Sequence, residues 1–223
     1  MKTLPELLAA TAHGLFPPPD GTVTVLPQPC HRDAGVLAFT AHTVILTDED
    51  PAWVRATLAA LDCDPLAAPL HPRFLTALMD RTGRTAETID ALWVGTPLPG
   101  PPALPLREIA DAGHPRVVRA RERRDAVRVW TTEGGVLVVG HGVGGRLEVA
   151  VEVDGEVTGG GRGLGRALAT AARQLAGGPV WGQVAPGNAR SARAFLAAGY
   201  RPVGAELLLS ARGGSTGCSG SCS

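Results

Sequence analysis

The sequence is poor in the residues on which several enzyme classes depend. Lys2 is the only lysine among 223 residues, which excludes a Walker P-loop lysine, a kinase lysine and a Schiff-base lysine in this chain. Serine is absent before Ser191 and no G-x-S-x-G motif occurs, so a serine hydrolase is not expected. Tyr200 and Asn188 are the only tyrosine and the only asparagine, so any role that needs either residue type has one candidate.

Long apolar runs and an excess of charge are also missing. No run approaches the ~18 to 20 residues that a membrane-spanning helix needs, and residues 1–16 lack the uninterrupted apolar core of a signal peptide. The 21 basic and 21 acidic residues cancel, which leaves no overall field to attract nucleic acid or an anionic membrane. The arginines between residues 116 and 124 are more typical of a solvated helix face than of a binding patch. We expect a cytoplasmic protein without a nucleic-acid or membrane partner.

The spacing of the cysteines does not indicate a metal site or a redox site. Cys218 and Cys222 lie in a Gly/Ser-rich tail, residues 212–223, which is predicted to be flexible and unnecessary for ligand binding. A C-x3-C pair without a nearby histidine is a weak metal signal, and we expect no metal. Cys30 beside His31 has the composition of a nucleophile and a base, but neighbours in sequence point apart.

A proline-rich segment, residues 97–105, is the strongest break in the chain and is predicted to link two parts. Residues 1–96 have an α/β pattern, and residues 106–211 alternate strands and helices as in a mixed sheet with helices packed on it. The predicted fold class is α/β with a mixed sheet. Predicted helices cover residues 4–15, 51–61, 72–82, 106–124, 164–176 and 189–198. Predicted strands cover residues 22–26, 36–47 (as one or two strands), 127–131, 136–141, 147–153, 180–184 and, as two short strands, 201–210.

The most informative segment is a glycine-rich loop between a strand and a helix. The strand ends near Val153, and the helix that follows carries an apolar stripe on one face. Glycines let successive amides turn inward, and these N–H groups at the positive end of a helix dipole form a site suited to a pyrophosphate. The alternative is a flexible loop without a ligand. The residues that would form the site are Gly160, Gly161, Arg162, Gly163, Leu164, Gly165 and Arg166.

A dinucleotide-binding motif also follows a strand and opens a helix, but its spacing is not met here. After Gly161 and Gly163, the position of the third glycine of G-x-G-x-x-G holds Arg166. No acidic residue closes the next strand about 20 residues further on, where a ribose would be bound. The sequence therefore argues against a Rossmann-type site.

A second segment continues the pattern after the next strand. Asn188 is suited to cap a helix, Gly199 is placed to end it, and Tyr200 follows. Together with the loop Gly160-Gly161-Arg162-Gly163-Leu164-Gly165, this order resembles the GNAT acyltransferase superfamily. In that family a strand precedes Arg or Gln and then x-x-G-x-G or x-x-G-x-A, followed by a helix, a strand and a helix that opens with asparagine. The resemblance covers residues 126–210.

The resemblance implies a GNAT acyltransferase fold in residues 106–211. Residues 1–96 would then be an N-terminal α/β extension, and its order of elements also fits a degenerate copy of the same fold. Acyl-CoA, with acetyl-CoA as the expected donor, would lie where strands 147–153 and 180–184 splay apart. The implied activity is direct N-acyl transfer from the thioester to an amine, in a small molecule or a peptide.

The resemblance also implies roles for backbone and side-chain groups around the acyl-CoA. The loop amides would hold the pyrophosphate. Backbone N–H groups of Val151 and Val153 would bind the pantetheine and the thioester, and Asn188 would approach the pantetheine arm. A backbone N–H of the first strand would stabilise the developing oxyanion.

Two residues depart from the family pattern. Gly160 stands where the family usually has Arg or Gln. Phe195 stands seven residues after Asn188, where many members have a tyrosine that protonates the leaving thiolate. Tyr200 is expected to be a core residue, which leaves the thiolate to solvent, since a thiol with a pKa of ~8.5 needs little help. These departures leave open an alternative function, a non-catalytic acyl-CoA-binding sensor or scaffold.

The amine acceptor needs a base, since an aliphatic amine with a pKa near ~10 is protonated at neutral pH. Period-two alternation along the strand before the loop puts Glu148 and Glu152 on one face. One of them is predicted to be the general base, with its pKa raised by the cleft. The alternative is that arginines such as Arg146 or Arg128 neutralise these carboxylates. His141, on the preceding strand, is the reserve candidate.

Overall fold

The computed structural model describes residues 3–110, 113–154 and 163–211 of the chain. They form two compact units, one of residues 3–91 and 203–211 and the other of the described residues between 92 and 202. The helices are α1 (Leu4–Ala12), α2 (Pro51–Ala59), α3 (Pro72–Thr82), α4 (Pro115–Arg123), α5 (Leu164–Leu175) and α6 (Ala189–Ala197). The strands are β1 (Val23–Leu26), β2 (Ala34–Phe39), β3 (His42–Leu46), β4 (Arg84–Thr85), β5 (Asp90–Gly95), β6 (Arg107–Ile109), β7 (Asp125–Thr132), β8 (Gly135–His141), β9 (Leu147–Val153), β10 (Val180–Val184) and β11 (Arg201–Ala211).

The first unit is a mixed sheet with helices packed on it. Its strand order is β1-β3-β2-β11, with β4 also paired to β11. β1 and β3 are parallel, whereas β2 pairs antiparallel with both β3 and β11. Side chains of α3 and the sheet form its core, which includes Phe74, Leu78, Val36, Ile45 and Leu209. Burying each such side chain contributes about 1.5 to 3 kcal/mol, so this core can stabilise the unit.

The helices of the first unit begin at the residues that the sequence indicates. Asp50 caps α2 by accepting from the Ala52 amide, and Pro51 occupies the first helical position. At the N-terminus of α1, Thr3 and Glu6 form a capping box. The predicted helix over residues 4–15 is shorter than expected, because α1 ends at Ala12.

The second unit is also a mixed sheet, with strand order β5-β10-β9-β8-β7-β6. β10 and β9 are parallel, whereas β9 pairs antiparallel with β8, β8 with β7, and β7 with β6. α5 covers one face, where the Leu168 side chain lies against Gly135 of β8. α4 covers the opposite face, where Val117 and Ala120 pack against Val129 and other valines of β7 and β8. Both units therefore confirm the predicted class, α/β with a mixed sheet.

The segment of residues 106–124 contains a strand and a helix, so the prediction of one continuous helix is wrong. β6 pairs with β7, with Arg107 opposite Thr131. α4 begins only at Pro115, whose fixed φ and missing N–H suit the first helical position. His114 caps it, with Nδ1 accepting from the Arg116 amide at 3.2 Å. The three residues of β6 have no alternating apolar pattern, so the sequence does not reveal the strand.

The last strand is continuous, so the prediction of two short strands over residues 201–210 is also wrong. Residues Ala205 to Leu209 pair antiparallel with β2. Gly204, which suggests a break in the sequence, lies directly against the carbonyl oxygen of Ala38, and a side chain there would overlap it. The glycine therefore allows close approach of two strands and does not interrupt β11.

Several predictions fall on residues that the structure does not describe. The tail of residues 212–223, with Cys218 and Cys222, is among them. Gly160, Gly161 and Arg162 of the glycine-rich loop also lie outside the described residues. Within the described residues, none of the helices is both long and apolar enough to cross a membrane.

Candidate functional site

β9 and β10 are parallel neighbours whose pairing covers only the first two residues of each strand. Leu147 pairs with Val180, and Glu148 pairs with Trp181. β9 continues to Val153, and over this part the described residues of β10 form no further pairs with it. On its other edge β9 pairs with β8 along its whole length. The two strands therefore diverge after Glu148, as two neighbouring strands must where a ligand is to enter between them.

The N-terminus of α5 lies at the end of β9 where the strands have diverged. A Cβ built on Gly165 would lie 3.7 Å from a methyl group of Val153 and 3.6 Å from the Cβ of Ala194 in α6. Gly163 precedes the helix in a left-handed conformation, with φ of 98°. Among the described residues no side chain caps this helix. The Ala167 amide donates to the Gly163 carbonyl oxygen at 2.8 Å. The first turn of α5 is therefore the end of the helix where the dipole favours an anion.

α6 confirms the predicted cap and helix end. The Asn188 side-chain oxygen accepts from the Ser191 amide at 3.0 Å. Gly199 follows the helix with φ of 78°, a conformation that favours glycine. Phe195 is buried, and a side chain at Gly182 of β10 would overlap its ring. The absence of a side chain at Gly182 thus lets α6 approach β10 closely.

The two faces of β9 are those that the period-two alternation predicts. Ala150 packs against the apolar cluster under α4, and Glu152 forms an ion pair with Arg116 of that helix. Glu148 contacts Arg124, the residue that follows α4. Val153 lies on the opposite face, next to the first turn of α5. The predicted shared face of Glu148 and Glu152 is confirmed.

Glu148 is a buried, doubly ion-paired carboxylate. Its side chain is 3% exposed. Arg124 Nε donates to Oε2 at 2.8 Å, and Arg146 Nε donates to Oε1 at 2.8 Å. A side chain at Gly142 would overlap the Glu148 carboxyl group, so this glycine leaves the room that the carboxylate occupies. The alternative that Arg146 neutralises this glutamate is therefore confirmed.

The expected direction of the Glu148 pKa is wrong. Burial by itself raises the pKa of this carboxyl, but the guanidinium groups of Arg146 and Arg124 outweigh it and hold the pKa below its usual range. Both carboxylate oxygens already accept charged hydrogen bonds. A carboxylate stabilised in this way is a poor acceptor for a substrate proton, which disfavours Glu148 as the general base.

Glu152 is more accessible and lies further along the divergent part of β9. Its side chain is 37% exposed, and its carboxylate accepts from Nε of Arg116, which is 42% exposed. Arg128 does not neutralise either glutamate of β9, contrary to the alternative considered above, because it forms a two-fold ion pair with Glu108. The reserve candidate His141 is exposed, and its Nδ1 lies 3.0 Å from the Gly145 carbonyl oxygen.

Tyr200 is a core residue, as expected. Its ring lies 4.6 Å from that of Phe195, and its hydroxyl donates to the Ala169 carbonyl oxygen at 3.0 Å. Burial raises the pKa of Tyr200 well above its usual range, and the nearby Arg173 guanidinium opposes this only in part. The hydroxyl is thus buried and already donates its proton within the fold.

We predict that Tyr200→Phe affects stability and leaves the reaction unchanged. Losing the hydrogen bond to Ala169 should lower the free energy of unfolding by about 1 kcal/mol. Denaturant unfolding and steady-state kinetics would measure the two effects. A large fall in kcat in a variant with near-normal stability would instead make Tyr200 the proton donor to the leaving thiolate.

The buried Arg173 and the half-buried Arg124 are arginines that the sequence patterns do not identify. Arg173 lies on α5 and donates from Nε to the Thr96 carbonyl oxygen at 2.6 Å and from Nη1 to the Ala198 carbonyl oxygen. Gly95 leaves room for it, since a Cβ there would lie 2.9 Å from the Arg173 side chain. Arg124 contacts Glu148 although its sequence neighbours form an exposed helix face. Gly95 lies opposite Arg173, and Gly140 lies opposite Arg124. These glycines are the sequence signal that could have indicated space for the two arginine side chains.

Metal-binding groups are not clustered in the described residues, where no set of three or more His, Cys, Asp or Glu side chains could hold an ion. In the described part of the second unit the charged groups near β9 are arginines and carboxylates in ion pairs.

No protein-family model matches the sequence, and no curated protein matches it. Among solved structures, the chain is similar to a GCN5-related N-acetyltransferase from Kribbella flavida, with 20% identity, a TM-score of 0.41, and 82% of this chain and 90% of that chain covered. It is also similar to a GCN5-related N-acetyltransferase from Sphaerobacter thermophilus, with 16% identity, a TM-score of 0.36, and 61% of this chain and 55% of that chain covered.

Proposed function

We propose that the chain is an acyl-CoA-dependent N-acyltransferase, with acetyl-CoA as donor, and that residues 106–211 hold its GNAT-type acyl-CoA site. The observation that carries the proposal is the divergence of β9 and β10 after two paired residues, with the glycine-rich start of α5 at its open end. Residues 1–96 are an N-terminal α/β extension in this proposal.

The divergence suits the pantetheine arm of an acyl-CoA. Beyond Glu148, no strand among the described residues pairs with the β10-facing edge of β9. N–H groups two residues apart point to the same edge of a strand, so those of Val151 and Val153 can serve one extended ligand together. We propose that they bind the pantetheine and the thioester carbonyl, and that one of them stabilises the oxyanion of the transition state.

The start of α5 suits the pyrophosphate of CoA. The amides of Leu164, Gly165 and Arg166 lie in the first turn of α5, at the positive end of the helix dipole. A Cβ at Gly165 would already contact Val153 and Ala194, so the glycine keeps the helix start free of a side chain there. Gly160, Gly161 and Arg162 would complete this site, and Asn188 at the start of α6 would approach the pantetheine arm.

Direct transfer requires a base for the amine and a proton for the thiolate. We propose Glu152 as the base, acting directly or through a water, because it lies on the divergent part of β9 and is accessible. The thiolate is protonated by solvent, because Phe195 has no hydroxyl and the Tyr200 hydroxyl is bound inside the core. A thiol with a pKa of ~8.5 leaves readily near neutral pH without a dedicated acid.

We predict that Glu152→Gln lowers kcat/KM for the amine by roughly 100-fold and leaves CoA affinity unchanged. The loss should be largest at low pH, where more of the amine is protonated and removal of its proton limits the rate. CoA release would be followed over about pH 6 to 9 with an amine that the wild-type protein accepts. Near-normal rates across this range would reject the carboxylate and direct attention to His141 or solvent.

The alternative function is a sensor or scaffold that binds acyl-CoA without turnover. The ion pairs of Glu148 and the buried Tyr200 favour it, because both remove groups that could act on protons. The two functions predict different outcomes when CoA binding is measured beside CoA release with a panel of amines. Release above the rate of spontaneous hydrolysis supports the transferase, and binding without release supports the sensor.

A further inference from the structure

Arg124 connects the two strands at the place where their backbone pairing ends. Its Nε donates to Glu148 on β9, and its Nη2 donates to Oε1 of Gln183 on β10 at 3.2 Å. Glu148 belongs to the last backbone pair, with Trp181, whereas Gln183 lies two residues into the unpaired part of β10. Gln183 also forms a side-chain hydrogen bond to Glu148. Arg124 therefore contacts both members of a side-chain link that joins the strands where their backbone hydrogen bonds end.

The position of this guanidinium is fixed by its surroundings. Arg124 is 12% exposed, and its partner Glu148 is held from the other side by Arg146. A Cβ built on Gly140 of β8 would lie 3.0 Å from the Cβ of Arg124, so the absence of a side chain there admits the arginine. The planar, forked guanidinium can serve two acceptors in different directions, which a lysine ammonium on a flexible stem does with less precision.

We propose that Arg124 is a positioning residue that sets the separation of β9 and β10 at the start of the acyl-CoA cleft. The inference rests on the proposed function, since it assigns to Arg124 the geometry of the cleft that binds the pantetheine arm. If the guanidinium holds Gln183 at a set distance from Glu148, it also fixes the direction in which the unpaired residues of β10 leave β9.

The experiment measures the Kd of CoA by calorimetry for the wild-type protein, Arg124→Lys, Gln183→Met and the double variant. Arg124→Lys keeps a positive charge beside Glu148. Gln183→Met keeps the side-chain length but loses the acceptor oxygen for Arg124 and the hydrogen bond to Glu148. Each single variant should weaken CoA binding about 5-fold, the effect of one hydrogen bond of ordinary strength. The double variant should bind CoA no more weakly than Gln183→Met alone, because Gln183→Met already removes the contact between Arg124 and Gln183.

Arg128→Lys serves as the matched control, since Arg128 pairs with Glu108 at the exposed edge of the sheet and should leave CoA affinity unchanged. Hydrogen exchange gives a second readout, with faster exchange of the amides of residues 182–184 expected in both single variants and not in the control. In the kinetics of an active protein, KM for the acyl donor should rise while kcat stays near its normal value.

The outcomes separate the inference from the function on which it rests. If the wild-type protein binds CoA and the variants Arg124→Lys and Gln183→Met bind it with the same affinity, the positioning role of Arg124 is overturned and the proposed function stands. Additive losses in the double variant would also overturn it, since the two residues would then act independently. A wild-type protein that binds no CoA would overturn the proposed function and, with it, the positioning role.

Discussion

Gly165→Asp abolishes CoA binding, with a loss of affinity of 100-fold or more expected, and leaves the fold intact. The physical reason is that Gly165 is the second residue of α5, where an aspartate is favourable for the helix but repels a pyrophosphate. A Cβ at this position meets Ala194 and Val153 only at ordinary contact distance, so the backbone need not move. Calorimetry with CoA and thermal unfolding would measure the two effects on the same preparation.

Two further variants of the same residue serve as controls. Gly165→Asn has nearly the same shape without the charge, and Gly165→Ala adds only a methyl group and should stabilise the helix by about 0.5 to 1 kcal/mol. If the amides at the start of α5 bind a phosphate of CoA, the CoA affinity should decrease from the wild-type protein through Gly165→Ala and Gly165→Asn to Gly165→Asp. Normal CoA affinity in Gly165→Asp would show that the start of α5 is not the phosphate site. Gly163 is less suited to this test, because its left-handed φ strains any other residue.

Glu148→Gln destabilises the protein by about 3 to 5 kcal/mol, the cost of removing one partner from a buried ion pair. The substitution leaves the guanidinium groups of Arg124 and Arg146 in a buried site without the carboxylate that neutralises them. Urea unfolding followed by circular dichroism would measure the change. The exposed pair of Glu108 and Arg128 provides the control, since Glu108→Gln should cost at most about 1 kcal/mol.

The contribution of the Glu148 ion pairs to the stability of the folded protein decreases at acidic pH. Its pKa is lower in the folded protein than in the unfolded chain, where a glutamate titrates near ~4.3. The stabilisation is therefore fully present above that value and is lost as the pH falls below it, toward the lower pKa of the folded state. The difference in stability between the wild-type protein and Glu148→Gln should shrink in acid. A difference that is small at neutral pH would contradict the buried ion pair.

In the second unit, the sequence predicts the elements that are marked by patterns within a few neighbouring residues. β9 and β10 have the predicted bounds, 147–153 and 180–184, because alternation or a short apolar run between glycines marks them clearly. Asn188 and Gly199 mark α6 through capping chemistry that acts within one turn. The two faces of β9 follow from alternation alone, so Glu148 and Glu152 could be placed on one face without coordinates.

The parts that the sequence does not predict depend on contacts between distant segments. β5 has no alternation, because its last four residues are all buried, and such a short apolar run does not distinguish a strand from other structure. The ionisation of Glu148 depends on Arg124, which lies 24 residues earlier and appears in sequence as one more arginine of an exposed helix. Burial alone predicts a raised pKa for Glu148. The two guanidinium groups that lower this pKa become apparent only in the folded structure.

A crystal structure of the protein with CoA tests the central claim most directly. The account predicts that the pantetheine arm lies between β9 and β10 beyond Glu148, with the pyrophosphate against the amides of Leu164 and Gly165. CoA bound at another surface, or crystals grown in saturating CoA with the space between the two strands empty, would contradict an acyl-CoA site in this cleft.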